Sequence, residues 1–307
     1  MKRLRRESWH YAFDAALPPA LEVDPGESFW VETHDAHRGT VLDESVVYAS
    51  LDEVLARLGG ANPVTGPVAV RGAEPGDCLV VTIEEVAAAP RRGTGYTCTT
   101  PTLEASLEAE TVMCPVDGAE VILPTAWGEA RLPLRPMVGT LALAPAGEPV
   151  GSFLQRRDIL GNVDLPAVTH GSRVVLRAQV PGGLLFLGDA HLAQGDGEIH
   201  RAAIEAEADI RISVTVASAE EVGFVELPQI NREGFWGSAA PGPGHLEDLV
   251  REAYDDLARR LAAQGLSLAD AYRLLGSVGM LTVGQVVPPL FSVLASIPTR
   301  YVAQRKR

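Results

Sequence analysis

Residues 183–216 read GLLFLGDAHLAQGDGEIHRAAIEAEADIRISVTV, and their pattern sets the architecture. An apolar run at 183–188 leads to Gly195-Asp196-Gly197, which has the chemistry of a tight reversal because glycine tolerates positive φ. A long alternating run, 199–216, follows. The pattern predicts a hairpin that brings Asp189 and His191 opposite Glu198. In the second run Ile204, Ile210, Ile212, Val214 and Val216 hold the even positions, so the even face is the buried one. Arg201, Glu205, Glu207, Asp209 and Arg211 hold odd positions and read as solvent-facing. Glu198 and His200 share parity with the buried face.

The same stretch is the densest in chemistry. Asp189, His191, Asp196 and Glu198 fall within ten residues, threaded with glycine. A buried carboxylate needs a cation or hydrogen-bond donors, because burying the bare charge is costly. Two readings follow. One is a metal site, whose mixed nitrogen and oxygen donors suit zinc or manganese, where an all-oxygen set would suit calcium. The other is a Gly-Asp-Gly turn whose acids bond the backbone, with His191 a satisfied core histidine. No HExxH, GxSxG, Walker A or GxGxxG pattern is present. Elsewhere, Glu32-Thr33-His34-Asp35-Ala36-His37 gathers two acids and two histidines, each read more readily as solvated than as ligating. Gly161-Asn162-Val163-Asp164 offers an amide and a carboxylate after the irregular connection; the Asn either polarises a carbonyl or, the readier reading from spacing, is a turn residue. Gln285, isolated in an apolar strand, reads as structural.

Working outward, residues 28–33 alternate as a strand, 50–58 form a short helix capped by Ser50 or Asp52, and 68–70 and 79–83 are strands. Residues 88–108 lack a period and read as a loop. Short strands follow at 119–123, 130–134 and 138–143, then a long irregular connection at 144–163 and a strand at 173–179. Leu246 to Ala263 carries Leu249, Val250, Ala253, Leu257 and Leu261 at helical spacing. A second helix runs from Ser267 to Leu275, and strands at 280–287 and 290–297 close the chain. The fold class is mainly β with an α+β C-terminal portion. Residues 1–216 form the β body that carries the candidate site, and 217–307 form the α+β portion packed on it.

The 307 residues suit one large domain or two closely packed ones. Lysine and arginine number 26 against 40 acids, a net charge of −14, which argues against nucleic acid or an anionic membrane as partner. No apolar run is long enough to span a bilayer and the N-terminus lacks a signal core, so a soluble, cytoplasmic protein is expected. Cys78, Cys98 and Cys114 form no CxxC pair and are expected to be reduced. Cys78 sits in an apolar strand as inert core. Cys98 and Cys114 lie in a Thr-rich stretch where a catalytic thiol is the lesser reading.

The segment Phe186-Leu-Gly-Asp189-Ala-His191-Leu-Ala-Gln194-Gly-Asp196-Gly-Glu198, with Ala203-Ile204-Glu205 after it, resembles the signature of the acetamidase/formamidase family. Val31 to Asp35, Gly66-Pro67-Val68, Gly72 to Asp77, Gly161-Asn162-Val163-Asp164 and Gln285-Val286-Val287 are similar to further family segments, in order along nearly the whole chain. The resemblance implies a β-sandwich-like body and hydrolysis of short linear amides such as formamide and acetamide. It also implies assembly as a homo-oligomer, with a dimer expected. A divalent metal, zinc first with calcium or manganese as alternatives, would be held by Asp189 and His191 with Asp35 as third ligand. Asp196 is either a ligand or the brace of the turn. Glu198 is the candidate general base and acid, Asn162 the oxyanion donor and Gln194 a substrate-binding residue. Alternatives within the fold are hydrolysis of another small amide, carbamate or lactam, or binding without catalysis. Three positions depart from the family pattern: Leu160 stands where a second glycine is common, Gly279-Met280-Leu281 replaces a Gly-Asp-Leu, and Pro288 replaces an acid. Trp127, Phe153, Leu154, Phe235 and Trp236 lie near loops that could shape a pocket.

Overall fold

The computed structural model describes residues 1–88, 93–100, 106–224, 226–287 and 290–302; Pro288 and the basic cluster Arg305 to Arg307 lie outside them. The body is a pair of packed sheets. One has nine strands and includes Ser28–Thr33, Cys78–Ala88, Arg173–Arg177 and Ala208–Ala217. The other has twelve and includes Val64–Val70, Thr94–Thr99, Met137–Leu143, Leu160–Asn162, Leu185–Ala193 and Ile204–Ala206. Their facing side chains, among them Leu79, Val81, Ile83, Leu141, Leu185 and Leu187, form the main core. Each fully buried leucine or valine of this kind contributes about 1.5–3 kcal/mol.

The nine-stranded sheet continues into the last third of the chain through Gln229–Asn231, Phe235–Pro243, Leu290–Pro298 and Met280–Val287. Against it lies the helix Leu246–Ala263, whose Leu249, Ala253, Leu257 and Leu261 stripe is buried as the spacing predicts. The helix Leu268–Val278 packs beside it. Leu51–Leu58 starts at Ser50, whose hydroxyl accepts from the Glu53 N–H, and stops at Gly59 in the left-handed region.

Two expectations are corrected. Residues 199–216 are not one strand. Ile204–Ala206 belongs to the twelve-stranded sheet and Ala208–Ala217 to the nine-stranded one, so the chain changes sheets at Glu207. The even-face rule holds beyond the crossing, where Ala208, Ile210, Ile212 and Val214 are buried. It fails before it, because both faces of the short strand are covered. Glu205 and Glu207 are therefore buried, not solvent-facing. The second correction is Thr94–Thr99, a strand paired with Glu110–Asp117 inside what reads as a loop. It is buried on both faces and so shows no alternation. The rest of that expected loop at 89–92 and 101–105 lies outside the described residues.

Leu185–Ala193 is the pivot of the twelve-stranded sheet, pairing with Met137–Leu143, Val64–Val70 and Ile204–Ala206. The strand contact at Gly188 is too close for a side chain: an added Cβ would sit 2.4 Å from the Pro63 carbonyl oxygen and 3.1 Å from Val64 Cα. Gly188→Ala is expected to cost about 1–3 kcal/mol through backbone displacement, read as a lower urea midpoint at unchanged slope.

Candidate active site

Five ionisable side chains converge at one end of the Leu185–Ala193 strand. Asp189 and His191 come from the strand itself, Glu205 from the adjacent Ile204–Ala206, Glu198 from the intervening loop and Asp164 from just beyond Leu160–Asn162. Register makes the first contact: His191 is paired directly with Glu205. The expected pairing with Glu198 is thus corrected. The reversal is a longer loop, and Glu198 reaches the cluster because Gly197 donates its N–H to the Val283 carbonyl and accepts from the Val286 N–H.

His191 Nε2 lies 3.6 Å from Asp189 Oδ1 and 3.4 Å from Glu205 Oε2. Its other nitrogen is spoken for. Gln194 Nε2 donates to the carbonyls of Asp164 (2.6 Å) and Gly284 (3.1 Å), which leaves its Oε1 to accept from His191 Nδ1–H at 2.8 Å. Nε2 therefore faces the two carboxylates, as N–H when the ring is protonated and as a lone pair when it is neutral. Asp164 Oδ1, Asp189 Oδ1 and Glu205 Oε2 are buried with no hydrogen-bond donor among the described residues. Buried carboxylate oxygens without donors call for positive charge nearby, from a protonated His191 or from a cation. Ligand atoms of Asp164, Asp189 and His191, and those of His191, Glu198 and Glu205, each lie within 4.8 Å of one another, which fits a divalent cation. Gly139 forms the wall of this cradle; a Cβ there would meet Asp164 Oδ1 at 2.4 Å and Asp189 Oδ2 at 3.0 Å.

Electrostatics follow from burial. Desolvation, with the charges of Glu198 and Asp189 beside it, pushes the Asp164 carboxyl well above the usual range. Desolvation, opposed by His191 and reinforced by Glu205 and Asp189, pushes Glu198 up to about 8. Burial opposes charge on the His191 ring, yet Glu205 and Asp189 outweigh it and hold its pKa well above the imidazole norm.

A second layer holds the acids in place. Asn62 Nδ2 donates to Asp189 Oδ2 (2.7 Å) and Asn162 Oδ1 (3.0 Å), and Thr140 Oγ1 reaches the same two oxygens at 3.3 and 2.5 Å. Asn162 Nδ2 and Gln285 Nε2 both donate to Asp164 Oδ2, at 2.9 and 2.8 Å. Asn62, Asp164, Asp189 and Glu198 all have positive φ, a conformation that costs non-glycine residues of order 1–3 kcal/mol each and clusters at functional sites. Leu160, standing at the glycine position of the family pattern, also adopts φ +77° and buries its side chain in the main core.

The remaining residues singled out by sequence fall as follows. Asp35 is buried but outside both donor groups; its Oδ1 accepts from the N–H groups of His37 and Gly39 and from the Tyr96 hydroxyl. Asp196 is exposed on the loop, away from the cluster. Asn162 lines the cavity with one amide hydrogen on Asp164. Gln194 orients His191, as described above, and is not among the residues lining the cavity. Gln285, read as structural, lines it and steers Asp164. Phe153 and Leu154 line it too, whereas Trp127 is fully exposed and Phe235 and Trp236 belong to the C-terminal sheet. Glu205 and Asp164 are the site acids that sequence reasoning did not select. All three cysteines are free and buried. Burial pushes the Cys98 and Cys114 thiols up to about 11, which removes the thiolate a nucleophile needs.

The acetamidase/formamidase family model matches residues 2–106 and 134–236, well over half the chain. This chain belongs to the acetamidase/formamidase family. Among solved structures, an acetamidase from Bacillus halodurans superposes with a TM-score of 0.88 at 30% identity, covering 97% of this chain and 98% of that one. An acetamidase from Yersinia enterocolitica gives 0.88 at 29% identity, covering 99% and 93%. The acetamidase of Mycolicibacterium smegmatis is 25% identical over 252 residues, 62% of this chain and 61% of its own length. The formamidase of Methylophilus methylotrophus is 26% identical over 245 residues, 62% and 59% respectively. The chain thus spans about three fifths of the length of these curated relatives.

Two outcomes test the site as this family member presents it. Gly139→Ala is expected to weaken the binding of an added divalent cation at least tenfold in calorimetric titration, since the new Cβ enters the cradle. The three thiols are expected to stay unreactive to a disulfide reagent in the native protein and to react fully in denaturant.

Proposed function

We propose that this chain hydrolyses a linear carboxamide to ammonia and the carboxylic acid, with assistance from a divalent metal. The observation that carries the reading is the set of buried carboxylate oxygens without a donor on Asp164, Asp189 and Glu205, which line a cavity beside His191, in a chain related to acetamidases and formamidases. Those four residues would hold the cation, so the reading uses Glu205 and Asp164 where the sequence suggested Asp35 and Asp196. Zinc suits the single imidazole among carboxylates, and calcium and manganese are the alternatives to assay. When bound, such an ion lowers the pKa of its water and polarises a carbonyl oxygen.

The chain's own groups do the rest. The acceptor-rich floor takes the two N–H bonds of an unsubstituted amide. Asn162 directs its remaining amide hydrogen at the carbonyl oxygen, where negative charge develops. Glu198 takes a proton from the attacking water as the new C–O bond forms. It then passes that proton to the nitrogen as the C–N bond breaks, so ammonia leaves and the acid remains. Burial raises the Glu198 carboxyl and so favours the donating transfer, and a cation held beside it would favour the carboxylate needed for the accepting one. Gln194 keeps the His191 ring in one tautomer, and Asn62 and Thr140 keep Asp189 from turning away.

The assay is ammonia release from formamide, acetamide and propionamide by purified protein, alongside its metal content. Chelation is expected to abolish release and the matching metal to restore it. Glu198→Gln is expected to lower kcat by about 10²-fold or more. Release that ignores both treatments sinks the reading.

A further inference from the structure

We propose that the acyl group of the substrate is apolar and considerably larger than acetyl: an alkyl chain of about four to eight carbons, or an aryl ring. This deepens the hydrolytic reading above and rests on it for the reaction, but it stands on a different part of the molecule. The cavity above the acidic floor has a volume of about 260 Å³. That approaches the lower end of the ~300–1,000 Å³ typical of pockets for drug-sized ligands, whereas one water-sized group occupies about 30 Å³. Formamide or acetamide seated on the floor leaves most of this space unused.

Most of the remaining lining is carbon. Leu51 and Val54 come from the short helix, Phe153 and Leu154 from the irregular connection, and Leu290 from the start of the last long strand. Tyr48 completes the wall and lies flat on His37, with ring centroids 4.8 Å apart and planes within 5°. Burial pushes the His37 ring down to about 4, and its Nδ1 is bonded to the Tyr96 hydroxyl, so this stack is an uncharged, flat surface at neutral pH. Water held in such a space finds few of the two to four polar partners it needs, and an apolar group that displaces it is favoured. Several elements distant in sequence present apolar faces to one space whose carboxylates gather at its floor, with Ser50, Thr100 and Arg201 as further polar residues on its lining. The polarity gradient along the cavity matches a molecule with an amide head and a hydrocarbon body.

The test compares kcat/KM for acetamide, butanamide, hexanamide and benzamide with the metal-replete enzyme, together with the rise in Tm that each amide produces at equal concentration. Each methylene buried against the wall is expected to raise kcat/KM about fourfold. Leu51→Trp and Leu290→Trp, which fill the space from two separate elements, are expected to lower the hexanamide-to-acetamide ratio at least tenfold. A ratio that is flat or falls beyond acetamide, or that ignores both tryptophans, overturns the inference. If no amide yields ammonia but hexanamide still raises Tm more than acetamide, the hydrolytic reading fails and the apolar cavity assignment survives. No ammonia and no such difference in Tm overturns both.

Discussion

The structure is organised around an excess of negative charge where water is scarce. Asp164, Asp189, Glu198 and Glu205 are all buried beside His191, and their mutual repulsion must be answered. The chain answers in part with donors. Asn62, Thr140, Asn162, Gln194 and Gln285 each spend a polar group on the acids or on the residues that hold them. Three oxygens remain without a donor among the described residues, and each belongs to a residue whose donor group includes His191. The close strand contact at Gly188 and the absence of a side chain at Gly139 leave room for that arrangement, and the positive φ of four site residues aims it. Strain, donors and close packing serve one electrostatic end.

Much of this was legible in the residues themselves. The stripe on Leu246–Ala263 and the Ser50 cap follow from elementary periodicity and capping, and both hold. The segment from Asp189 to Glu198 drew attention because acids, imidazole and glycine are crowded there, and three of its side chains do meet. Order along the chain also tied that segment to Gly161-Asn162-Val163-Asp164, which supplies the floor.

What escaped has a physical cause. Parity arguments assume that a strand keeps one face in water. Around Glu205 both faces are covered, so alternation carries no information, and a carboxylate looked exposed because its neighbours two apart did. Thr94–Thr99 was hidden for the same reason. Asp164 was visible as a residue but not as a ligand, since its role depends on Met137–Leu143 bringing Leu160–Asn162 alongside Leu185–Ala193, a pairing among strands distant in sequence. Asp35 carried a plausible ligand's chemistry, yet it spends Oδ1 on folding its own loop against Tyr96.

The passage between sheets at Glu207 has a further meaning. The strand before it bears Glu205 and the strand after it feeds the main core, with one residue between them. Side chains in a strand alternate, so chain length at this junction sets the phase of both sheets at once. A lengthening or shortening by a single residue would turn Ile210, Ile212 and Val214 outward or rotate Glu205 away from His191. The junction is thus a length gauge: it tolerates changes of residue type far better than changes of residue number, and it ties the integrity of the hydrophobic interior to the aim of a single carboxylate.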